Sequence, residues 1–362
     1  MVIQFFKRNL NLIQKTLLLV ILVFMGCDDR SPFEVQKAYI TLQGSDQIAV
    51  VDIKDGVILE TIDVDLINTS DMPHYIVIDE TNNYWYCTLI SSGHILKFDL
   101  STNEMIDSIH VGNMPALMEI DELNEYVYVS RFMPMMGMNT ASQLVHKIDA
   151  MTMDIVGTVE VGADSPHGIA LSSDGQTLWV ASNQASHFFR IETNRFGEAN
   201  YQPQNYPIGD DVPSSYEIND GYYNALELEL SHDDSKLFIS CSNSMEVREF
   251  DTSTGELLNT YMTEMMPWHM QVSSDDSKLY VTNRMGNSYS EIDLNSGEST
   301  SFTYSNMSMM HGCALGGNED LLVVTSAGSG TAYVFETETN TRLHTIEFGS
   351  EESMPTGVAV VQ

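Results

Sequence analysis

The chain has 362 residues, of which 51 are acidic and 16 are basic, so its formal net charge at pH 7 is −35. A surface of this charge repels nucleic-acid phosphates, so we expect no nucleic-acid partner. The length is compatible with two ordinary domains or with one closed array of repeats.

The first 26 residues hold three basic side chains, no acid, and an apolar run at residues 17–25. A run this short does not reach the about 20 residues that a membrane-spanning helix needs, and it is typical of a signal-peptide core. The run ends in Phe24-Met25-Gly26-Cys27, which resembles a bacterial lipoprotein cleavage box with Phe24 where leucine is usual. We therefore expect a signal peptide at 1–26 and a tether at 27–37. A lipid on Cys27 would anchor the protein in the bacterial cell envelope, periplasmic or at the cell surface. The alternative is an ordinary signal peptide with an incidental cysteine.

One pattern recurs along the rest of the chain. Residues 165–183, SPHGIALSSDGQTLWVASN, contain two apolar runs around the turn residues Ser173-Asp174-Gly175, which predicts two strands and a tight turn. Similar segments open 42 to 59 residues apart, at Pro73, Pro115, Pro166, Ala225, Pro267, Met310 and Pro355. A period near 40–45 residues with about four short strands per unit indicates the blades of a β-propeller.

The two ends of the repeat array complement each other. Three strands are predicted at 38–42, 47–52 and 57–63 without an opening strand before them, and an opening strand without a blade is predicted at 357–361. Pairing these ends would close the ring and leave no free sheet edge between them. We therefore predict an all-β fold, a seven-bladed β-propeller over residues 38–362 that the C-terminal strand closes by pairing into blade one.

Residues 279–283, LYVTN, contain the tetrapeptide YVTN, and residues 178–183, LWVASN, are a close variant. On these residues the chain resembles the YVTN-repeat, YncE-like β-propellers. The same architecture resembles the propeller of nitrous oxide reductase and those of lactonase-like and streptogramin-lyase-like enzymes. The resemblance implies the fold, whereas function has to be argued from a site.

Soft metal ligands cluster at the openings of the predicted inner strands. Five of the seven residues before the aligned openings are methionine, and four histidines follow in blades two, four, six and seven. The predicted ligands are His74, His167, His269, His311, Met72, Met114, Met266, Met309 and Met354. Thioether and imidazole groups favour soft or borderline metals, copper above all, so we predict a copper site at one end of the channel. The alternative is structural, because methionine also fills irregular gaps and Pro-His-Gly also occurs as ordinary inner-strand chemistry.

Two insertions fall on the same predicted face as these openings. One is a methionine-rich loop that could form a secondary metal or partner site, with Met133, Met135, Met136 and Met138. The other spans residues 195–222. Long loops on a rigid scaffold often carry function, so this face is also the expected surface for an envelope protein partner.

We expect a lipid-anchored binding protein whose candidate ligand is copper, at the channel mouth rich in histidine and methionine. Two alternatives remain open: a metal-dependent lyase, lactonase or oxidoreductase, and a pure interaction scaffold. The chain contains no G-x-S-x-G elbow, P-loop, dinucleotide fingerprint or HExxH motif. Acidic residues expected near the same face could act as bases or oxygen ligands: Glu119, Asp210, Asp211, Glu217 and Glu227.

Overall fold

A computed structural model describes residues 35–67, 70–112, 114–132, 142–210 and 221–362. The predicted signal peptide, the lipidation residue Cys27, the Met133–Met138 loop, Asp211 and Glu217 lie outside the described residues, so the expectations for them remain predictions. No helix within the described ranges is long and apolar enough to cross a membrane.

The described residues from Gln36 onward form seven four-stranded antiparallel sheets. The strands are β1 Lys37–Leu42, β2 Gln47–Asp52, β3 Val57–Asp63, β4 Pro73–Asp79, β5 Tyr84–Leu89, β6 His94–Asp99, β7 Met105–His110, β8 Pro115–Asp121, β9 Tyr126–Arg131, β10 Leu144–Asp149, β11 Ile155–Glu160, β12 Pro166–Leu171, β13 Thr177–Ser182, β14 His187–Glu192, β15 Gln204–Pro207, β16 Ala225–Leu230, β17 Lys236–Cys241, β18 Glu246–Asp251, β19 Leu257–Met262, β20 Pro267–Val272, β21 Lys278–Asn283, β22 Ser288–Asp293, β23 Ser299–Phe302, β24 Met310–Gly316, β25 Leu321–Ser326, β26 Thr331–Glu336, β27 Thr341–Glu347 and β28 Pro355–Val360. Two short 3-10 turns lie at Thr193–Arg195 and Glu351–Ser353.

The seven sheets are the blades of one closed ring. The innermost strands β4, β8, β12, β16, β20, β24 and β28 each contact the next, and β28 contacts β4. The last strand completes blade one, because β28 pairs antiparallel with β1 in the order β28-β1-β2-β3. The predicted all-β, seven-bladed propeller closed by its C-terminal strand is therefore confirmed.

Every inner strand begins with the same irregularity. In blade two, Pro73 pairs with Leu89 and Ile76 pairs with Cys87, so the inner strand carries one extra residue against its partner. The same shift occurs at the start of the other six inner strands. Such a β-bulge leaves backbone groups without ladder partners and re-aims the side chains beside it.

A hydroxyl side chain on the next strand of the blade satisfies the bulge. The Thr282 Oγ1 accepts a hydrogen bond from the His269 backbone N–H at 3.0 Å and donates one to the His311 carbonyl of the next blade at 2.5 Å. Thr41, Thr88, Ser130 and Thr325 make the same pair of contacts in their blades. The hydroxyl of the YVTN tetrapeptide thus joins neighbouring blades at the channel.

Apolar side chains fill the space between blades farther from the channel. Trp85 stacks on Phe98 of its own blade at 3.9 Å between ring centroids, and Tyr39 of blade one lies 5.1 Å from Trp85. All three side chains are buried. Burying a large apolar side chain contributes about 1.5–3 kcal/mol, so this packing holds the blades in a rigid ring.

Deletion of residues 355–362 removes β28 and exposes the edge of β1. We expect the truncated protein to lose cooperative unfolding or to melt at a much lower temperature, because blade one is left with three strands and the ring is open. Thermal unfolding followed by circular dichroism measures this. Deletion of Gln362 alone is the matched control, since it preserves all pairing of β28, and equal melting of the two truncated proteins would contradict the closure.

Candidate functional site

The residue before each inner strand has a left-handed backbone conformation. The φ angles are 58° at Met72, 59° at Met114, 62° at Ser165, 49° at Asn224, 59° at Met266, 51° at Met309 and 48° at Met354. This region is unfavourable for most residues other than glycine, asparagine and aspartate. The five predicted methionine ligands therefore share a strained backbone position that turns the chain into the bulge, and each side chain is half-buried.

The four predicted histidines come together at this end of the channel. The ring centroids of His74 and His311 lie 5.2 Å apart, those of His269 and His311 lie 4.9 Å apart, and those of His74 and His167 lie 6.4 Å apart. All four are at least nine-tenths buried. Burial lowers the pKa of His167 and of His269 to about 3 and lowers the pKa values of His74 and His311 well below their usual range. We call these four neutral imidazoles the histidine cluster.

Hydrogen bonds fix the proton positions on two of these rings. The Trp268 Nε1–H donates to the His311 Nε2 at 3.2 Å. Because an indole N–H is only a donor, His311 carries its proton on Nδ1, which is buried and finds no hydrogen-bond partner among the residues that the structure describes. The Nδ1 of His167 donates to the Leu226 carbonyl at 3.0 Å. Blade four has Ala181 where the other blades have a hydroxyl side chain. The His167 imidazole therefore donates the hydrogen bond to the next blade that a hydroxyl donates elsewhere.

A carboxylic side chain orients the third ring. Nδ1 of His269 and Oε1 of Glu227 share a hydrogen bond of 2.6 Å, and the Met270 backbone N–H donates to the other oxygen of Glu227. The pair is buried, and Nε2 of His269 has no partner among the described residues. Burial raises the pKa of Glu227 well above its usual value, while burial and the Arg284 charge lower the pKa of His269. Both directions favour a pair without separated charges.

A single guanidinium group lies beside the cluster. Arg284 directly follows strand β21, and its guanidinium carbon lies 4.6 Å from the ring centroid of Trp268. Its charge contributes to the lowered pKa values of His74, His269 and His311. Among the described residues, none accepts a hydrogen bond from its buried Nη1, and no carboxylate forms an ion pair with Arg284.

The channel continues below the histidine cluster toward the ends of the inner strands. Tyr75 stacks on His269 with 5.8 Å between ring centroids and also lines a cavity of about 430 Å³. Ile78, Leu315 and Val358 give this cavity a partly apolar wall. Glu119 and Glu229 stand close enough to Glu227 that burial and mutual repulsion raise their pKa values, that of Glu229 to about 8. The histidine cluster therefore lies above an acidic stretch and an apolar cavity.

The arrangement gives no support to a metal centre built from histidines, cysteines and carboxylates. Among the described residues, no group of three or more such side chains could hold a metal ion. The copper site and its methionine ligands remain a prediction. Of the candidate bases, Glu119 and Glu227 lie along the channel, whereas Asp210 is exposed.

The sequence analysis missed three residues of this site: Tyr75, Trp268 and Arg284. Trp268 was visible in an opening motif, and Arg284 follows the YVTN tetrapeptide directly, so the repeat alignment places both near the openings. Their roles in the site depend on contacts between different parts of the chain, and the spacing of residues in the sequence does not reveal such contacts.

No protein-family model and no curated protein matches the chain. Solved structures do match. A functionally unknown protein from Desulfotomaculum acetoxidans is 15% identical with a TM-score of 0.70, covering 90% of this chain and 99% of the other. Virginiamycin B lyase from Staphylococcus aureus is 16% identical with a TM-score of 0.63, covering 80% and 89%. A putative 6-phosphogluconolactonase from Bacteroides fragilis is 12% identical with a TM-score of 0.65, covering 92% and 100%. At these identities the likeness shows the propeller fold alone, which confirms the fold that the resemblance implied.

Substitution of Met266 tests what the methionines before the inner strands contribute. We expect Met266→Val to lower the free energy of unfolding by about 1–2 kcal/mol, because a β-branched residue is strained at positive φ. Met266→Gly should cost less, since glycine adopts this conformation freely. Denaturant unfolding measures both, and Met262→Val, at an exposed position in strand β19, is the control with little expected effect. If Met266→Gly lowered the free energy of unfolding more than Met266→Val, packing of the methionine side chain, and not the backbone conformation, would explain why methionine occupies this position.

Proposed function

We propose that the protein is an enzyme that binds a small molecule at the histidine cluster and moves a proton to or from it. His269 and Glu227 are the acid–base pair. The observation that carries this proposal is the 2.6 Å hydrogen bond between them, which orients a buried imidazole whose Nε2 has no partner in the described part of the chain. A titratable pair with strongly shifted pKa values at a channel opening is a common property of catalytic sites.

The two residues exchange protons as a unit. With Glu227 ionised, Nδ1 of His269 holds the proton and Nε2 has a lone pair that accepts a proton from the substrate. Transfer of the Nδ1 proton to Glu227 then leaves both groups uncharged, as burial favours. The raised pKa of Glu227 makes the pair a stronger base than a solvent-exposed glutamate, and thus better matched to neutral pH.

The comparisons support this reading by the reactions that the neighbours' names state. Two solved neighbours are named lyases, virginiamycin B lyase and streptogramin B lyase, and a third is named a putative lactonase. An elimination removes a proton from a carbon atom and lactone hydrolysis removes one from the attacking water, so a general base can assist both reactions. We propose the same general class of reaction, base-assisted elimination or lactone hydrolysis, for this YncE-like propeller. The substrate is left open.

Both reactions can be written with the same pair. In lactone hydrolysis, Nε2 of His269 takes a proton from water as the water oxygen bonds to the carbonyl carbon. The ring C–O bond then breaks and the proton passes to the leaving oxygen, which gives a hydroxy acid. In an elimination, Nε2 takes the proton from the carbon beside the carbonyl, a C–C double bond forms, and the leaving carboxylate takes the electron pair of the C–O bond.

His269→Ala and Glu227→Gln should each lower turnover by about 10²–10⁴-fold, the usual contribution of a positioned general base. In the unmodified protein the rate should fall as the pH drops through the raised pKa of Glu227, because protonation of the pair removes the lone pair on Nε2. Acid release from glucono-δ-lactone and simple γ- and δ-lactones in a pH-stat, and ring opening of a streptogramin B depsipeptide followed by mass spectrometry, measure turnover.

His232→Ala is the matched control for this experiment. His232 is half exposed and pairs with Asp276, on a turn at the other end of the blades. Its substitution should leave the rate unchanged. Equal turnover in the unmodified protein and in His269→Ala, or no turnover of any of these esters by the unmodified protein, would contradict the proposed function.

A second candidate is binding of a soft metal, with copper favoured. The observation that favours it is the free Nε2 of His269, whose Nδ1 is held by a carboxylic group, together with His74, which has no partner on either ring nitrogen. A histidine held in this way by a carboxylate is common among metal ligands. The nearby Arg284 charge opposes a cation, and the bond from Trp268 leaves no lone pair free on His311.

Elemental analysis and titration of the purified protein with Cu⁺ and Cu²⁺ decide between the candidates. If the cluster binds copper, stoichiometric uptake should be lost in His74→Ala and should weaken as the pH falls, because protonated imidazole does not ligate. His94→Ala, outside the cluster, should leave uptake unchanged. Copper uptake that survives in His74→Ala would contradict this candidate.

A further inference from the structure

We infer that the histidine cluster binds a carboxylate group of the ligand, held by Arg284 and His311. This inference rests on the proposed function and names the chemical class on which that function acts. It depends on two buried hydrogen-bond donors for which no described residue supplies an acceptor.

The first donor is the guanidinium of Arg284. Its buried Nη1 has no partner among the described residues, and its guanidinium carbon lies 4.6 Å from the ring centroid of Trp268. The N–H groups of a guanidinium lie in its plane, and arginine binds carboxylates through such in-plane N–H groups. This chain has 51 acidic residues, yet none of the described ones forms an ion pair with this arginine.

The second donor is Nδ1 of His311. Its identity as a donor follows from the hydrogen bond that Trp268 gives to Nε2 at 3.2 Å, since the ring can accept there only if its proton is on Nδ1. His311 is 2% exposed, and within the described ranges Nδ1 has no acceptor. Trp268 contacts both Arg284 and His311, and the Arg284 charge contributes to the lowered pKa of His311, so the two donors lie near each other beside one side chain.

The charges around these donors favour an anion with a single negative charge. Arg284 supplies one positive charge, and the four imidazoles are neutral, because burial lowers their pKa values. A second negative charge, as on a phosphate monoester, would have no second cation in the histidine cluster to balance it, because the imidazoles are neutral. A carboxylate matches both the charge and the two donors.

The position of the carboxylate also fits the proposed chemistry. The rings of His269 and His311 lie 4.9 Å apart between centroids. A carboxylate on Arg284 and His311 would therefore place the neighbouring carbon atoms of the same molecule beside the free Nε2 of His269. The ligand would be oriented by its anionic end and react at an adjacent position.

Binding of benzoate, benzamide and inorganic phosphate to the full chain tests the inference. By isothermal titration calorimetry at constant ionic strength, benzoate should bind, and benzamide and phosphate should bind more weakly. Arg284→Gln should weaken benzoate binding by about 10–100-fold, the usual loss for a charge-assisted hydrogen bond. Arg342→Gln is the matched control, since Arg342 also lies near two tyrosine rings but is outside the site, and it should bind benzoate normally.

A second measurement does not depend on the variant folding. In ¹⁵N NMR spectra of the unmodified protein, benzoate should shift the Arg284 guanidinium signals and the Nδ1–H signal of His311. His269→Ala should still bind benzoate, so loss of catalysis with retained binding would separate the inference from the proposed function. Absence of benzoate binding, equal binding of benzamide, tighter binding of phosphate, or undiminished binding in Arg284→Gln would each overturn the inference.

Discussion

A hydroxyl group at the channel wall is the interaction on which the ring depends. In each of five blades, one threonine or serine accepts a hydrogen bond from the bulged inner strand and donates one to the inner strand of the next blade. The bulge would otherwise leave buried backbone groups unsatisfied, which costs about 1–3 kcal/mol for each. Blade four has Ala181 at this position, and the imidazole of His167 takes over the donor role. A histidine of the site is thus also part of the framework.

The bulge and the left-handed residue before it explain why so many polar side chains meet at one end of the channel. Together they turn the first residues of each inner strand toward the axis, where seven strands converge. Each histidine from blades two, four, six and seven therefore has its ring centroid 4.9 to 6.4 Å from that of at least one other, although they are far apart in the sequence. Their burial keeps them neutral, which leaves Arg284 as the cation of the cluster.

The histidine cluster and its neighbours combine a proton acceptor with hydrogen-bond donors. The pair His269–Glu227 is poised to accept a proton, whereas Arg284 and Nδ1 of His311 are poised to donate hydrogen bonds. A site that contains only metal ligands would expose lone pairs and no fixed cation. The mixture of a free lone pair, an orphaned N–H group and a guanidinium is instead suited to a small organic anion that reacts beside its charged group.

The sequence by itself determined the blades, their number and the closure of the ring, because these depend on turn residues and apolar periods that recur locally. It also placed His74, His167 and His311 at equivalent ring positions and His269 one residue farther along its strand, since a repeat fixes where each opening lies. The tertiary structure alone decided the chemistry of the site. The proton position on His311 depends on Trp268, the basicity of His269 depends on Glu227 of another blade, and the methionines share a backbone angle that their identity does not reveal. Each of these properties arises from contacts between side chains of different blades, or from a backbone angle that methionine rarely adopts, and neither leaves a pattern in a single sequence.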